Sequence, residues 1–446
     1  MAAEIDDDRV KQFFQKKNNY GVKFVRLQWL DYSGVLRARV VTKSRCMAMA
    51  RKASTDRCAL AQNCMVIPIS TAPRCWPDGI EEWHLLPDWD SLMVCGSFAP
   101  THAAVMCYTA HTGLADQLAR CPRSALQKSL DAFAELCPGS ELLMGFEIEM
   151  VLLDGETLCP TRPLDHTVGF SMMAGMRGQN LDIMEEIVTS LSISGIDIHH
   201  FHVELRDQYE IALSALPPMK AIDSLVMAME TIRTVCLRHG LKASMAPKPV
   251  LHGPLSGCHV HLSISQLSDA LASSFLAGVL SKLKTLCVLG LPNYDSYSRV
   301  VGDCAGEWVG WGTGNKDLPI RGVNPSRWEF RFLDATANMY LFTAGLLSAG
   351  MAGIRTCQTL NITDCQVVPS ALSPDEAARQ LRPLGIVERM PTSLEATVKL
   401  ARSDEDLKDW LGVELHTQYL NVKDKEAEYF GEMTEEQRRQ KFLDYF

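Results

Sequence analysis

The stretch Leu143-Met144-Gly145-Phe146-Glu147-Ile148-Glu149-Met150-Val151-Leu152 decides how the chain is read. With the period of two that a strand imposes, Glu147 and Glu149 share one face, and Phe146, Ile148, Met150 and Leu152 share the other. Taken alone, a Glu-x-Glu pair is usually two acids on the wet side of a half-exposed strand. Three further segments repeat the design. In His200-Phe201-His202-Val203-Glu204-Leu205, His200, His202 and Glu204 oppose Phe201, Val203 and Leu205. In His259-Val260-His261-Leu262-Ser263-Ile264, two histidines and a serine oppose three aliphatic residues. In Arg327-Trp328-Glu329-Phe330-Arg331-Phe332, a charged face opposes three aromatics. Strands that are apolar behind and metal-capable in front predict a sheet with one face on a core and the other lining a cavity.

Outward from these strands, helical patterns alternate with them. The periodicity predicts helices over Pro122–Leu136, with Ser124 and Gln127 as a capping box, and over Gly178–Ser192. Another is predicted over Lys220–His239, with Leu225, Met229, Ile232 and Leu237 on its apolar stripe. Further helices are expected over Ala270–Leu289 and Ala337–Arg355, and a polar helical tail begins at Ser373–Gln380. Before residue 110 the pattern is a short helix over Asp7–Lys17, strands on either side of an Asp31-Tyr32-Ser33-Gly34 turn, a Pro- and Trp-rich irregular stretch, and renewed alternation over Ser91–Tyr108. The expected division is a small α+β domain over 1–110 and a larger one over 111–446. No Gly-rich phosphate loop of the nucleotide-binding parallel-sheet kind occurs.

The 446 residues suffice for a large core. Lys and Arg number 44 against 53 Asp and Glu, a net charge of −9, and no basic run interleaved with aromatics occurs, so nucleic acid is not an expected partner. The longest uncharged apolar segment, Met339–Ile354, carries three glycines and is too short to span a bilayer, so a membrane is not expected either. Met1–Asp8 lacks a secretory pattern, and the 15 cysteines include no Cys-x-x-Cys pair, which together predict reduced thiols in a cytoplasmic protein.

Glu147, Glu149, Glu204, Glu210 and Glu329 with one or two histidines form an oxygen-rich set suited to Mg²⁺ or Mn²⁺. Arg299, Lys316, Arg321, Arg327 and Arg331 supply positive charge nearby. Hard cations opposite arginines are what phosphoryl transfer needs.

These motifs, with Gln208-Tyr209-Glu210, Met245-Ala246-Pro247-Lys248-Pro249, Ser256-Gly257-Cys258-His259 and Ala337-Asn338-Met339-Tyr340-Leu341, resemble the glutamine synthetase superfamily, its type I-like branch in particular, over nearly the whole chain. The resemblance implies an N-terminal β-grasp domain and a catalytic domain with a curved antiparallel sheet backed by helices. It implies a homo-oligomeric double ring, a decamer or dodecamer, with active sites at subunit boundaries. It also implies ATP and two or more Mg²⁺ or Mn²⁺ ions per subunit. Glu149, Glu204 and Glu210 match the ligands of one ion, and Glu147, His259 and Glu329 those of the other. Arg299 and Arg331 match the substrate-carboxylate arginines, Arg321 and Arg327 the phosphate-side arginines, and His261 and Ser263 nucleotide-side positions. The implied reaction joins glutamate or an analogue to an amine through an acyl phosphate.

The departures lie toward the amine. The turn Leu205-Arg206-Asp207 is shortened, Pro254-Leu255 replaces Asn-Gly, and Lys316 replaces an arginine, losing its planar fork. The flap over Val300–Glu307 lacks the family glutamate at its usual spacing, leaving Glu307 as the stand-in. Pro68-Ile69-Ser70 stands near the position of an ammonium-binding Asp. The expected function is therefore a carboxylate–amine ligase using an amine other than ammonia. A non-catalytic assembly on the same fold and a genuine glutamine synthetase are the alternatives.

Overall fold

In the computed structural model the described residues are 7–16, 19, 21–51, 57–60, 63–66, 82–98, 100–161, 170–205 and 208–446. Two sheets organise them. The first holds β1 (Phe24–Leu30), β2 (Leu36–Thr42), β3 (Cys58–Leu60), β4 (Trp83–Pro87), β5 (Met93–Val94) and β6 (His102–His111). Its order is β2-β1-β6-β4-β3, with β5 also paired to β6. The β1–β2 turn is built as the sequence implies. The Asp31 carboxylate accepts the N–H groups of Ser33 and Val35, each at 2.9 Å. Gly34 has φ +79°, and a Cβ there would lie 2.1 Å from the Thr336 carbonyl oxygen, so a side chain is excluded.

The second sheet holds β7 (Leu142–Asp154), β8 (Ile198–Val203), β9 (Gln208–Leu213), β10 (Leu241–Ser244), β11 (Cys258–Ile264), β12 (Trp311–Thr313), β13 (Ile320–Asn324) and β14 (Arg327–Phe330). Its order is β12-β13-β14-β11-β7-β9-β8, with β10 also beside β7. Every pair is antiparallel except β12 with β13. The apolar face read from the sequence is the core face: Phe146, Ile148, Met150 and Leu152 are all buried. Each contributes about 1.5–3 kcal/mol by leaving water. Helices Pro218–Arg238, Asp269–Gly290 and Met339–Arg355 back this face, with Phe275 stacked on Trp328. The protein is thus the α+β arrangement of a small sheet unit and a curved, helix-backed sheet.

Several local expectations need correction. Between β7 and the His200 strand lies β9, which the sequence reading did not separate out. The Pro122–Leu136 helix starts from Cys121 with Pro122 in its first turn, so Ser124 sits inside the helix and caps nothing. Leu237 is exposed at the end of its helix, outside the buried stripe. By length and composition one helix, Asp269–Gly290, could cross a membrane, but 67% of its apolar window is buried against the rest of the chain. Met339–Ile354 is a buried helix, as expected. The helix expected to reach Lys17 is described as far as Gln15, and Pro68-Ile69-Ser70 lies outside the described residues.

Buried polar side chains fasten the first sheet to the second unit. Arg123 donates to Asp88 at 2.6 Å and to both Asp223 oxygens, at 2.5 and 2.9 Å. The Ser33 hydroxyl donates to Glu426, which also accepts from the fully buried Lys423. Leaving either acid without its cation would strand a buried charge, so these clusters fix the geometry on which the site depends.

Candidate active site

Strand β7 is the axis of the site, because directly opposed residues on antiparallel strands share a face. Register places His259 of β11 opposite Glu147, and Glu210 of β9 opposite Glu149. One strand out on either side, Glu329 lies opposite His261 and His202 lies opposite Glu210. The result is a continuous polar face. It lines a cleft of about 850 Å³ together with Arg299, Lys316, Arg321 and Arg331.

At one end of the cleft, ligand atoms of Glu147, His259 and Glu329 lie within 4.8 Å of one another. His259 Nδ1 is 3.3 Å from Glu147 and 3.5 Å from Glu329. His261 Nε2 contacts the other Glu147 oxygen at 2.8 Å. Burial favours neutral acids here, but the two imidazoles hold Glu147 far below the usual carboxylate range. His259, Arg331 and Arg321 likewise hold the fully buried Glu329 ionised. Glu329 Oε2 lies 2.7 Å from Arg321 Nη1 and is buried without a hydrogen bond. Ionised, buried acids with an unbonded oxygen and a convergent imidazole fit a divalent cation. The row continues past the cleft, where Ser263 and Arg327 oppose one another across β11 and β14.

The other expected ligand set, Glu149, Glu204 and Glu210, lines the same cleft, with Glu149 and Glu210 as register partners. Glu149 Oε2 accepts the Gly257 N–H at 2.6 Å and the Gln208 amide at 3.1 Å. Glu204 lies just beyond β8, with its carboxyl pushed up by burial and by Glu210 and Glu149. Glu210 also has His200 and His202 beside it, with ligand atoms of the three within 4.8 Å of one another. The Glu210 carboxylate raises His202 to about 9. His200 and His202 were recognised in the sequence as sharing a face, but which acid they meet depends on β9.

The cationic residues divide into three groups. Arg331 donates to Glu329 and, at 2.8 Å, to the Asp303 carbonyl. Arg299 is almost fully buried, donating to the Leu333 carbonyl at 2.5 Å and approaching His259 Nε2 at 3.3 Å. Lys316 is exposed on the cleft wall, and Arg327 is exposed at the start of β14, beyond the cleft lining. Glu307 is a correction: it pairs with Arg389 and is absent from the cleft lining, because the flap turns its chain outward toward the Arg389–Trp308 stack. The flap instead presents Asp303 and Cys304 to the cleft. Asp303 has φ +63°, and its N–H donates to Asp317. Phe170, Ser171, Leu205 and Leu255 complete the wall beside His200, and sequence reasoning had singled out only the last two, as departures.

Residues 119–442 match the family described as glutamine synthetase, catalytic domain. The chain belongs to the glutamine synthetase family. Members of that family use ATP and divalent metal ions, and the gathered Glu and His side chains are where the metals would be held. Among curated relatives, Protein fluG of Emericella nidulans is 32% identical over 440 residues, covering 95% of this chain and 49% of FluG. The chain thus spans about half the length of that relative. Gamma-glutamylpolyamine synthetase GlnA3 of Streptomyces coelicolor is 27% identical, with 91% of this chain and 90% of GlnA3 covered. The solved GmaS/ADP complex superposes with a TM-score of 0.80 at 24% identity, over 97% of this chain and 99% of that one, a likeness of fold.

Proposed function

We propose that this member of the glutamine synthetase family is an ATP-dependent ligase that joins glutamate, or a close analogue, to an amine larger than ammonia. The observation that carries this reading is the contrast within one cleft. The Glu147–His259–Glu329 end gathers charged partners, while the wall beside His200 carries the apolar side chains of Phe170, Leu205 and Leu255. A divalent cation held by Glu147, His259 and Glu329 would neutralise phosphate charge during transfer to the acid. Arg321 and Arg331, anchored on Glu329, place two guanidinium groups beside that position, where charge develops. The acid's γ-carboxylate would take the phosphoryl group, and the amine nitrogen would then attack the acyl carbon and expel phosphate. Asp303, on the flap and at the cleft, is placed to accept the proton the amine must lose. An amine with an apolar body would fill the space against Phe170 and Leu255 and keep water from the acyl phosphate. The likeness to GlnA3, a gamma-glutamylpolyamine synthetase, supports this choice. A cytoplasmic homo-oligomeric double ring belongs to the same proposal.

A second reading, a non-catalytic assembly on this fold, is favoured by one observation. The Arg299 guanidinium is tied to the Leu333 and Arg331 carbonyls instead of standing open to a substrate carboxylate. Release of ADP from ATP, measured with glutamate and a panel of primary amines, diamines and ammonium, separates the possibilities. Turnover led by an organic amine is expected. Ammonium as the best acceptor by a wide margin would make the protein a plain glutamine synthetase, and no turnover with any pair would leave the assembly reading.

A further inference from the structure

We propose that Asp317, together with Ser370, is a positioning residue: the pair forms a latch that holds the flap turn and sets the Asp303 carboxylate in the cleft. The role of Asp303 rests on the ligase reading, in which it accepts the amine proton. The latch does not.

Asp303 is held at both of its backbone groups. Its φ of +63° lies in the left-handed region, which Asp visits more readily than most residues but keeps only where its surroundings impose it. Its N–H donates to Asp317 Oδ1 at 3.1 Å, and its carbonyl accepts from Arg331 at 2.8 Å. Gly302, just before it, packs so closely that a Cβ there would collide with the Ser370 side chain and lie 2.7 Å from Asp317 Oδ1. The Asp303 side chain is what remains free. It lines the cleft, and its carboxylate has no hydrogen bond or ion pair among the described residues. The five glutamates of the cleft, Glu147, Glu149, Glu204, Glu210 and Glu329, each have a partner. A group that takes a proton from a substrate must be within reach and uncommitted, and Asp303 is the cleft acid that meets both conditions.

Asp317 is the fixed point. It is 3% exposed, and no Lys, Arg or His among the described residues pairs with it, so N–H and O–H donors alone hold its carboxylate. Besides the Asp303 N–H, these are the Ser370 hydroxyl on Oδ1 at 2.6 Å and the Ser370 N–H on Oδ2 at 2.8 Å. A buried polar group left without its partner is costly, so acid and donors keep one another in place. The Asp317 N–H in turn donates to Asn315 Oδ1 at 3.0 Å, and Asn315 Nδ2 donates to the Cys365 and Val367 carbonyls at 2.9 and 2.8 Å. Residues 315–317 are thus stitched to 365–370. Lys316, between two anchored neighbours, is carried on the cleft wall by the same fastening.

The test compares Asp317→Ala, Asp317→Asn and Ser370→Ala with the wild type, each as the full chain and first without substrate. Hydrogen exchange over 300–306 reads the flap directly. So does the rate at which iodoacetamide alkylates Cys304, which lines the cleft beside Asp303, followed by mass spectrometry of its peptide. Asp317→Ala should lose flap protection and alkylate Cys304 at least about 10-fold faster. Asp317→Asn keeps an accepting oxygen for the Asp303 N–H and should fall in between. Ser370→Ala removes only the hydroxyl bond at an exposed position, so it should show the same change in smaller measure, and it decides the matter if Asp317→Ala does not fold. ADP release with the best acid–amine pair is the second arm. There kcat should fall about 100-fold in Asp317→Ala, the loss that a misplacement of about 1 Å brings, with KM for ATP unchanged and partial recovery in Asp317→Asn. Unchanged exchange and alkylation in all three variants would overturn the latch. A loosened flap with kcat intact, or with KM for ATP raised as much as kcat is lowered, would overturn the positioning role. A wild type that turns over no pair would refute the ligase reading and with it the role of Asp303, while exchange and alkylation would still uphold or overturn the latch.

Discussion

The two ends of the cleft share a strand and differ in how their acids are held. At the Glu147 end, each carboxylate has a buried imidazole or guanidinium within about 3.6 Å, and Glu329 alone meets His259, Arg321 and Arg331. At the Glu210 end, the nearby basic side chains are two histidines and the exposed Lys316, while one Glu149 oxygen accepts from an amide and a backbone N–H. A site that must bind triphosphate has little freedom, because the charge it neutralises is the same in every turnover. The end that meets the acceptor can be rebuilt whenever the acceptor changes. The difference teaches where such a fold tolerates alteration.

Glu329 should give the largest effect. Glu329→Ala takes from Arg321 and Arg331 the buried carboxylate they both contact, a loss of about 3–5 kcal/mol for a buried charge cluster deprived of one partner. Thermal melting should show it, and ADP release should fall by at least about 10³-fold. Mn²⁺ at 100 times its dissociation constant should stabilise the wild type by about 2.7 kcal/mol, and that gain should shrink in the variant. If the variant were as active as the wild type, the Glu147 end would not be the phosphate end, and the comparison would fail.

Gly257→Ala probes the junction of the two ends. A Cβ at Gly257 would lie 2.4 Å from Arg299 Nη2 and 2.8 Å from His259 Nε2. Both side chains must shift, at a cost of about 1–3 kcal/mol in stability. Because the Gly257 N–H holds Glu149, the disturbance should reach both metal positions. Metal titration showing a change at only one of them would mean the two ends are less coupled than their shared strand suggests.

The sequence made the face of β7 legible because alternation there is strict, and its four apolar residues are all buried. Glu147, His259 and Glu329 could be grouped from the family resemblance, and the sheet brings them together. Glu210 was grouped with Glu149 and Glu204 from the family resemblance, and Glu149 is its register partner, but its histidine neighbours were not foreseen. They depend on β9 lying between β7 and β8 and on the pairing of His202 with Glu210, and register between strands leaves no periodic mark within either one. β9 itself was hidden because all six of its residues are buried, so it lacks the alternation that reveals a half-exposed strand. Glu307 failed for a related reason: the direction of an irregular flap is set by what it packs on, here Arg389 and Trp308.

Arg331→Lys tests whether the geometry of charge matters at the phosphate end. Arg331 uses one guanidinium nitrogen on Glu329 and another on the Asp303 carbonyl, so it joins the β14 side of the site to the flap. Lysine keeps the charge and cannot span both partners with a planar fork. Activity should fall about 10- to 100-fold, with KM for the acid raised, and the metal-dependent gain in melting temperature should survive. An equal loss of metal stabilisation would assign Arg331 to holding Glu329 alone.

The smallest expected effect belongs to the acceptor wall. Leu255 lines the cleft, and its carbonyl accepts from Gln208, so its backbone is fixed while its side chain is free to shape the space beside Phe170. Leu255→Ala removes apolar surface without touching a charged partner. One pocket contact of this size is worth about 1–3 kcal/mol of discrimination. Its kcat/KM for a bulky primary amine should therefore drop about 10-fold, while the value for ammonium stays put and the affinity for ATP is unchanged. That pattern would confine the wall's role to the acceptor and leave the phosphate end untouched. If ATP affinity moved as much as amine selectivity, the two ends would have to be treated as one site, because a wall that only shapes the amine has no physical route to the triphosphate.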